Sequence, residues 1–158
     1  MISKNEFRHA LGRFASGVTV VTAKDADGNL HGITVSAFCS VSLEPPLILV
    51  CIDKNTGSHR ALAQTDSFVV NILRADRQDL SDRFAAYLPD KFAAVKYRLG
   101  IDDLPLLEDA LANLECRLVN SHLNGDHTIF VGQIERVTVD DGEPLVYFHG
   151  NYRKLETR

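Results

Sequence analysis

The sequence predicts a mainly β fold, an antiparallel β-barrel with peripheral helices. About seven short stretches have the β-branched and apolar composition of strands, whereas only three have a helical pattern. Several of the predicted strands are joined by turns too short for the crossover that parallel neighbours require. No GxGxxG motif follows any of them, so we do not expect a doubly wound parallel sheet.

Length and composition predict one domain over residues 1–158, because 45% of the residues are hydrophobic and 24% are charged. The net charge of −4 gives no support for nucleic-acid binding, for which a basic face would be expected. No apolar run approaches the ~20 residues of a membrane span, and residues 1–14 lack a signal-peptide core, so we expect a cytoplasmic protein without membrane contact. Three cysteines without a CxxC pair predict neither disulfides nor a metal site, and we expect small buried side chains at Cys39, Cys51 and Cys116.

The first predicted helix begins with a capping box at residues 3–6. Phe7, Leu11 and Phe14 follow at helical spacing and form one apolar stripe, which predicts a helix that ends near Gly17.

Three strands are predicted next, at 18–23, 30–35 and 47–52. The first two form a hairpin across the dense turn signal at 24–29. Residues 36–46, which end in Pro45-Pro46, are predicted to be a crowded turn between two strands.

Predicted strands and helices also follow one another in the second half of the chain, except in one long segment. Residues 88–109 have little pattern and contain several breakers, so we predict a lid or a partner-binding segment there. The other predicted elements are helices at 58–64 and 78–87, strands at 67–73, 113–122, 128–139 (the longest) and 144–149, and a final loop at 150–153.

Polar side chains are concentrated between His31 and His59, next to two strands that we predict to be buried. If the backbone there is extended, Ser36, Ser40 and Ser42 lie on one side and several N–H groups are free to donate. Such a surface suits a planar, acceptor-rich ring that carries a polyol or a phosphate. The alternative is that these residues are ordinary turn and strand formers.

Catalytic signatures such as GxSxG, HExxH and the P-loop are absent from the sequence. The sharpest local feature is the turn Gly125-Asp126-His127, in which Asp126 can orient an imidazole that donates to an anion or a carbonyl. The alternative is a plain hairpin turn. We expect His9, His31, His122 and His149 to be structural or solvated.

Seven stretches together resemble the flavin reductase family with the FMN-binding split barrel, the small component of two-component flavin-dependent monooxygenases. They extend over nearly the whole chain, from Phe7 to Arg153. The stretches are RFASGVTVVTA (13–23), HGITVSAFCSVSLEPPLILVCID (31–53), Ser58-His59, SFVVNIL (67–73), SDRFA (81–85), GDHTIFVG (125–132) and YFHGNYR (147–153). The resemblance implies an antiparallel Greek-key split barrel and a homodimer. It also implies that NADH or NADPH reduces FMN or FAD, which is then released to an oxygenase component.

The resemblance also implies the site residues. It places the flavin ring against Thr34, Val35 and Ser36, largely through backbone groups, and the nicotinamide against His127, with Thr34 and His127 as the catalytic residues. The ribityl and phosphate contacts fall on Ser40, Val41, Ser42, Cys51, Asp53, Ser58, His59 and Arg83, and Tyr152 and Arg153 lie near the nucleotide.

One position departs from the family pattern: Ser58 stands where a threonine is usual, in a loop that contains Asn55 and Gly57. This leaves FMN or FAD open, as well as NADH or NADPH. Rival functions for such a barrel are an oxidase of a pyridoxal-type phosphate, a non-catalytic flavin or haem binder, and an electron carrier that keeps its flavin.

Overall fold

The computed structural model describes residues 1–156. A single 3₁₀ turn at Ile101–Asp103 accompanies three α-helices and twelve strands in this part of the chain. The helices are α1 (Lys4–Leu11), α2 (Gly57–Leu62) and α3 (Gln78–Ala85). The strands are β1 (Ser16–Gly17), β2 (Thr19–Lys24), β3 (Leu30–Val35), β4 (Phe38–Ser42), β5 (Leu47–Asp53), β6 (Ser67–Leu73), β7 (Tyr97–Leu99), β8 (Pro105–Leu107), β9 (Ala110–Asn124), β10 (His127–Val139), β11 (Val146–Phe148) and β12 (Asn151–Arg153).

Seven of the strands form one antiparallel sheet in the order β3-β2-β6-β9-β10-β5-β4. The sheet curls so that β3 also approaches β5, and β3 and β4 are its two edges. Two small sheets, β1-β11-β12 and β7-β8, lie outside it. The predicted fold class, an antiparallel barrel with peripheral helices, is confirmed.

The main core fills the inside of this curved sheet. β5 alternates between buried and half-buried residues, as expected for a strand with one face on the core. Its Val50 and Ile52 pack with Phe68 of β6, Phe130 of β10 and Leu62 of α2. All five side chains are almost completely buried, so they hold the three strands and α2 together.

A second core layer covers the outer face of β2 and β6. Leu80 and Phe84 of α3 pack with Val20, Leu73 and Leu107. The apolar side chains at 101, 104 and 106 cover Val69 in the same way. β2 and β6 are therefore buried on both faces, which explains their nearly continuous apolar sequences.

A polar contact ties this outer layer to the sheet. The Asn71 side chain is fully buried, and its Nδ2 donates to the Val20 carbonyl over 2.9 Å. Its Oδ1 accepts from the Leu107 N–H at 2.9 Å and from Asn113 Nδ2 at 2.8 Å. One side chain thus links β2, β6, β8 and β9.

The first helix is shorter than predicted. Its capping box is present, because the Ser3 hydroxyl accepts from the Glu6 N–H and the Glu6 carboxylate accepts from the Ser3 N–H. The helix ends at Leu11, however, and Gly12 closes it. None of its residues is buried, so the predicted apolar stripe at Phe7, Leu11 and Phe14 is exposed.

Residues 38–42 were predicted to be a turn and instead form the edge strand β4, with a bulge between Ser40 and Ser42. The strand was missed because it buries little on either face and because it lies between Ser36 and the Pro45-Pro46 turn signal. β9, at 15 residues, is longer than β10 at 13, contrary to our expectation. Residues 151–153 form β12 rather than a loop.

Residues 88–109, predicted to be a lid or a partner-binding segment, are packed on the sheet in their second half, which therefore is not a lid. Leu104, Leu106 and Leu107 are each 1% exposed, and β7 and β8 pair with each other. Phe92 packs edge-on against Phe84 and Tyr97. This segment is part of the outer core layer.

The expectation that all three cysteines are buried holds for only one of them. Cys116 is buried, Cys51 is half-buried and Cys39 is exposed on the edge strand. No helix in residues 1–156 has the length and hydropathy needed to cross a membrane.

Replacing Asn71 with leucine should lower the free energy of unfolding by about 2–4 kcal/mol, because buried groups of three strands lose their partner. Urea denaturation measures this. The neighbouring Ile72→Val substitution, which removes one methyl group from a partly buried side chain, is the control and should cost about 0.5–1.5 kcal/mol. An Asn71→Leu protein as stable as the control would show that the network contributes little.

Candidate active site

Two cavities in the described residues contain candidate site residues, and the larger of them, about 1010 Å³, lies between α1 and the sheet. The apolar stripe of α1 forms one wall, and the ends of β4, β5 and β10 form the other. Four of the sequence-predicted site residues line it: Ser36, Cys51, Asp53 and His127.

Strand register brings these residues together. β5 and β10 pair so that Asp53 lies opposite His127 and Cys51 lies opposite Ile129. Residues directly opposite in an antiparallel pair share a face of the sheet. The Cys51 N–H also donates to the Ala37 carbonyl at 3.0 Å, which holds the chain next to Ser36 at the same cavity.

The turn before His127 is held rigidly. Gly125 has a φ of +56°, which favours glycine, and its carbonyl accepts from Lys54 Nζ at 2.7 Å. The Lys54 N–H donates to the Asp126 carbonyl at 3.0 Å. His127 Nδ1 lies 2.8 Å from Asp126 Oδ1, which is the contact that the sequence predicted, and this bond lowers the pKa of Asp126. The imidazole therefore has a fixed orientation at the cavity.

The other two polar groups on this wall are less reactive. The Asp53 carboxylate accepts from the Asn55 N–H at 2.8 Å, which shapes the turn into α2. Burial raises the pKa of the Cys51 thiol, so this side chain stays neutral and serves as cavity wall.

The smaller cavity, about 560 Å³, lies at the opposite end of β3. It is bordered by residues 29–33, by the start of α2 and by residues 85–91. Ser58 is one of its lining residues and is only 7% exposed. Its hydroxyl makes no hydrogen bond within residues 1–156 and is free to bind a ligand.

Basic side chains line the same cavity as this hydroxyl. Lys91 Nζ donates to the Phe84 carbonyl at 2.8 Å and to the Gly32 carbonyl at 3.2 Å, and burial lowers the pKa of Lys91. His31 and Arg60 also line the cavity. An ammonium has three donors, so Lys91 keeps one for a ligand.

Residues that are close in the sequence line the two cavities. Asp53 lines the larger one and Thr56 the smaller one, only three residues later. Along β3 and its extension, Ile33 lines the smaller cavity and Ser36 the larger one. A ligand with a ring at one end and an anionic arm at the other would lie across this boundary.

Thr34 and Val35 lie at that boundary. The Thr34 hydroxyl donates to the Ser81 carbonyl at 2.6 Å, and Val35 is buried in the main core. Their side chains are therefore occupied with structure, and only backbone groups can meet a ligand. β3 is an edge strand, so its outer backbone groups are not used by a neighbouring strand.

His59 and Arg83 line neither cavity. His59 Nε2 lies 2.8 Å from the Thr128 hydroxyl, the ring packs edge-on to Phe130, and burial lowers its pKa. Arg83 Nε donates to the Lys91 carbonyl at 2.6 Å and so holds the loop that carries Lys91. Arg83 therefore stabilises the loop that carries Lys91 without lining either cavity itself.

The remaining predicted residues also lie outside the two cavities. The Tyr152 hydroxyl is 2.7 Å from the Ser81 hydroxyl and donates to Asp82. Arg153 is exposed on β12. Ser40, Val41 and Ser42 are on β4, at the edge of the sheet.

Sequence reasoning did not identify the basic residues of the smaller cavity. Lys91 is in the segment that had no pattern, so the sequence carried no signal for it. His31 could have been found, because a carboxylate at Asp25 and an imidazole on the opposite strand of a hairpin are placed to pair.

These donors fit a flavin nucleotide. Its ring is acceptor-rich and suits the edge-strand backbone at 34–36, and its anionic arm suits the free hydroxyl and basic groups of the smaller cavity.

Comparison with known proteins agrees with this fit. Residues 11–156 match the family described as the flavin reductase like domain. An NADH-dependent flavin reductase from Rhodococcus sp is 45% identical over 153 residues, which are 94% of this chain and 85% of that protein. The reductase component of a 4-nitrophenol 4-monooxygenase/4-nitrocatechol 2-monooxygenase from Rhodococcus opacus is 41% identical, over 96% of this chain and 80% of that protein. A relative from Rhizobium meliloti is 41% identical, but the chain covers only 47% of its length.

Solved structures share the fold. The flavin reductase PheA2 has a TM-score of 0.91 and 38% identity, over 99% of this chain and 100% of that chain. The NADH:FAD oxidoreductase SgcE6 of Streptomyces globisporus C-1027, solved with NAD and FAD fragments, has a TM-score of 0.92 and 34% identity, over 98% of this chain and 93% of that chain. The expected split barrel is thus confirmed, and the chain belongs to the flavin reductase like domain family.

Proposed function

We propose that this chain is an NADH-dependent flavin reductase that supplies reduced FMN or FAD to the oxygenase component of a two-component monooxygenase. The observation that carries the proposal is the pair of neighbouring cavities. One has a fixed imidazole and an edge-strand backbone, and the other has an unpartnered hydroxyl and basic groups. The relatives named above support both the reaction and the choice of NADH.

The residues of the chain bind and orient rather than exchange protons. When bound, the flavin supplies the acceptor for the hydride that NADH donates. Backbone groups at 34–36 meet the polar edge of the ring, and Ser58 and Lys91 meet the anionic arm. Cys51 and Ile129 give the larger cavity a partly apolar wall that limits the access of water. His127 faces the space left for the nicotinamide.

Steady-state kinetics test this function. We expect many turnovers of NADH oxidation per enzyme with FMN or FAD in excess, and slower turnover with NADPH. A non-catalytic flavin or haem binder would give no turnover. An electron carrier that keeps its flavin would stop at one equivalent of NADH under anaerobic conditions.

His127→Ala should lower kcat/KM for NADH by about 5- to 150-fold, because one positioned hydrogen bond of roughly 1–3 kcal/mol is lost. Flavin affinity, measured by fluorescence, should stay nearly constant. His122→Ala is the matched control, since His122 is exposed on β9 and lines neither cavity. A variant with normal NADH kinetics and a lowered melting temperature would mean that His127 only stabilises its turn.

The proposal includes a cytoplasmic homodimer with flavin near the interface. α1 supports it, because a helix whose apolar stripe is uncovered in its own protomer needs another surface. Phe7, Leu11 and Phe14 are 54%, 55% and 78% exposed, and all three line the larger cavity. A second copy that packs on this stripe would also close that cavity.

Sedimentation at micromolar concentration should show a dimer, and Phe14→Glu should raise its dissociation constant about tenfold or more, since burying a phenylalanine contributes about 1.5–3 kcal/mol. Leu99→Glu, a charge at an apolar residue of β7 that is 57% exposed, should leave the dimer intact. A wild-type monomer at this concentration would contradict the dimer.

A further inference from the structure

The smaller cavity contains an imidazole that the proposed reaction does not use. His31 Nε2 lies 2.9 Å from Asp25 Oδ2, across the β2–β3 hairpin. The other carboxylate oxygen of Asp25 accepts the N–H groups of Asp27 and Asn29, at 3.0 and 2.9 Å. The hairpin turn therefore holds the carboxylate, and the carboxylate holds the imidazole.

This contact selects the position of the proton on the ring. The His31 hydrogen bond, followed by the Asn29 N–H, lowers the pKa of Asp25 to about 2, so the carboxylate is ionised at all working pH values. An ionised carboxylate only accepts hydrogen bonds, so Nε2 must donate. Neutral His31 then has a lone pair on Nδ1, whereas protonated His31 has an N–H there.

The Nδ1 edge faces the wall of the smaller cavity. A Cβ atom built on Gly57 would lie 3.6 Å from His31 Nδ1, which is its nearest atom outside the adjoining residues of α2, and Gly57 and Ser58 both line the cavity. The His31 side chain is 26% exposed, and Nδ1 has no hydrogen-bond partner within residues 1–156. A ligand beside the Ser58 hydroxyl would meet this nitrogen.

The other titratable groups that line the cavity are Asp25, Arg60, Tyr87, Asp90 and Lys91. The Asp90 carboxylate is turned into its own loop, where it accepts the N–H groups of Phe92 and Ala93. Asp25 is neutralised by its contact with His31 when the ring is charged. The charges of Arg60 and Lys91 balance those of Asp25 and Asp90, so the cavity has a net positive charge that suits an anion only when His31 is charged.

We infer that His31, held by Asp25, is a proton-controlled contact for the phosphate-bearing arm of the flavin. Charged His31 donates from Nδ1 to a phosphate oxygen, and neutral His31 presents a lone pair that repels it. Flavin affinity then falls when His31 loses this proton. This inference rests on the proposed flavin reductase function.

Fluorescence titrations with FAD and riboflavin at about pH 6 and about pH 8.5 test it, since imidazole changes charge in this range. The FAD pyrophosphate keeps its charge there, and riboflavin has no phosphate. FAD binding should weaken by roughly 5- to 30-fold between these pH values, and riboflavin binding should hardly change.

The His31→Gln variant should bind FAD equally at both pH values and keep its riboflavin affinity, which reports an intact fold. The His122→Gln variant, at an exposed histidine outside the cavity, should behave like wild type. Asp25→Asn should reduce the pH dependence of FAD binding. In flavin-free protein near pH 8.5, long-range ¹H–¹⁵N NMR should show the proton of His31 on Nε2.

Equal pH dependence for FAD and riboflavin, or the Nδ1–H tautomer, would overturn the inference. A dependence on His31 that is confined to NAD⁺ binding would overturn the assignment to the flavin. Turnover of NADH with FAD in large excess at about pH 6 separates this inference from the reductase function. Its loss in wild type counts against the function, whereas its persistence without a phosphate-specific pH effect counts against His31 alone.

Discussion

The candidate site depends on the pairing register of β5 and β10. This register places Asp53 opposite His127, and it is specified by the core, because Val50 and Ile52 of β5 and Phe130 of β10 must all point inward. A slip by one residue would turn these side chains to solvent and would move the polar groups into the core. The hydrophobic energy that folds the barrel therefore also sets the geometry at its mouth.

Much of the fold could be predicted from the sequence, because most strands are apolar runs bounded by turn residues. The first helix shows the limit of this reasoning. Phe14 continues the spacing of Phe7 and Leu11, so the pattern extends past Gly12, where the helix ends. Periodicity also cannot tell whether a stripe is covered by its own chain. β4 was missed because it buries little on either face and so lacks the alternation of a strand with one face on the core.

The site was predictable to the extent that it follows strand ends. Ser36, Cys51, Asp53 and His127 do meet at one cavity. Thr34 and Arg83 carry the chemistry expected of binding residues, but their polar groups are used by backbone carbonyls of the outer layer. These hydrogen bonds join residues that are about ten to fifty positions apart in the sequence. Such tertiary contacts cannot be inferred from a single sequence. Lys91 reaches the smaller cavity from a segment without pattern for the same reason.

The bulge in β4 has a consequence for the behaviour of the protein at high concentration. Open sheet edges are templates for the addition of foreign strands, and this sheet has two. At β4 the bulge between Ser40 and Ser42 interrupts the hydrogen-bonding ladder, and the strand is only 5 residues long. At β3, α3 packs close by, and Ser81 accepts the Thr34 hydroxyl. Neither edge offers a long regular template, so the fold resists the edge-to-edge aggregation that threatens abundant β proteins.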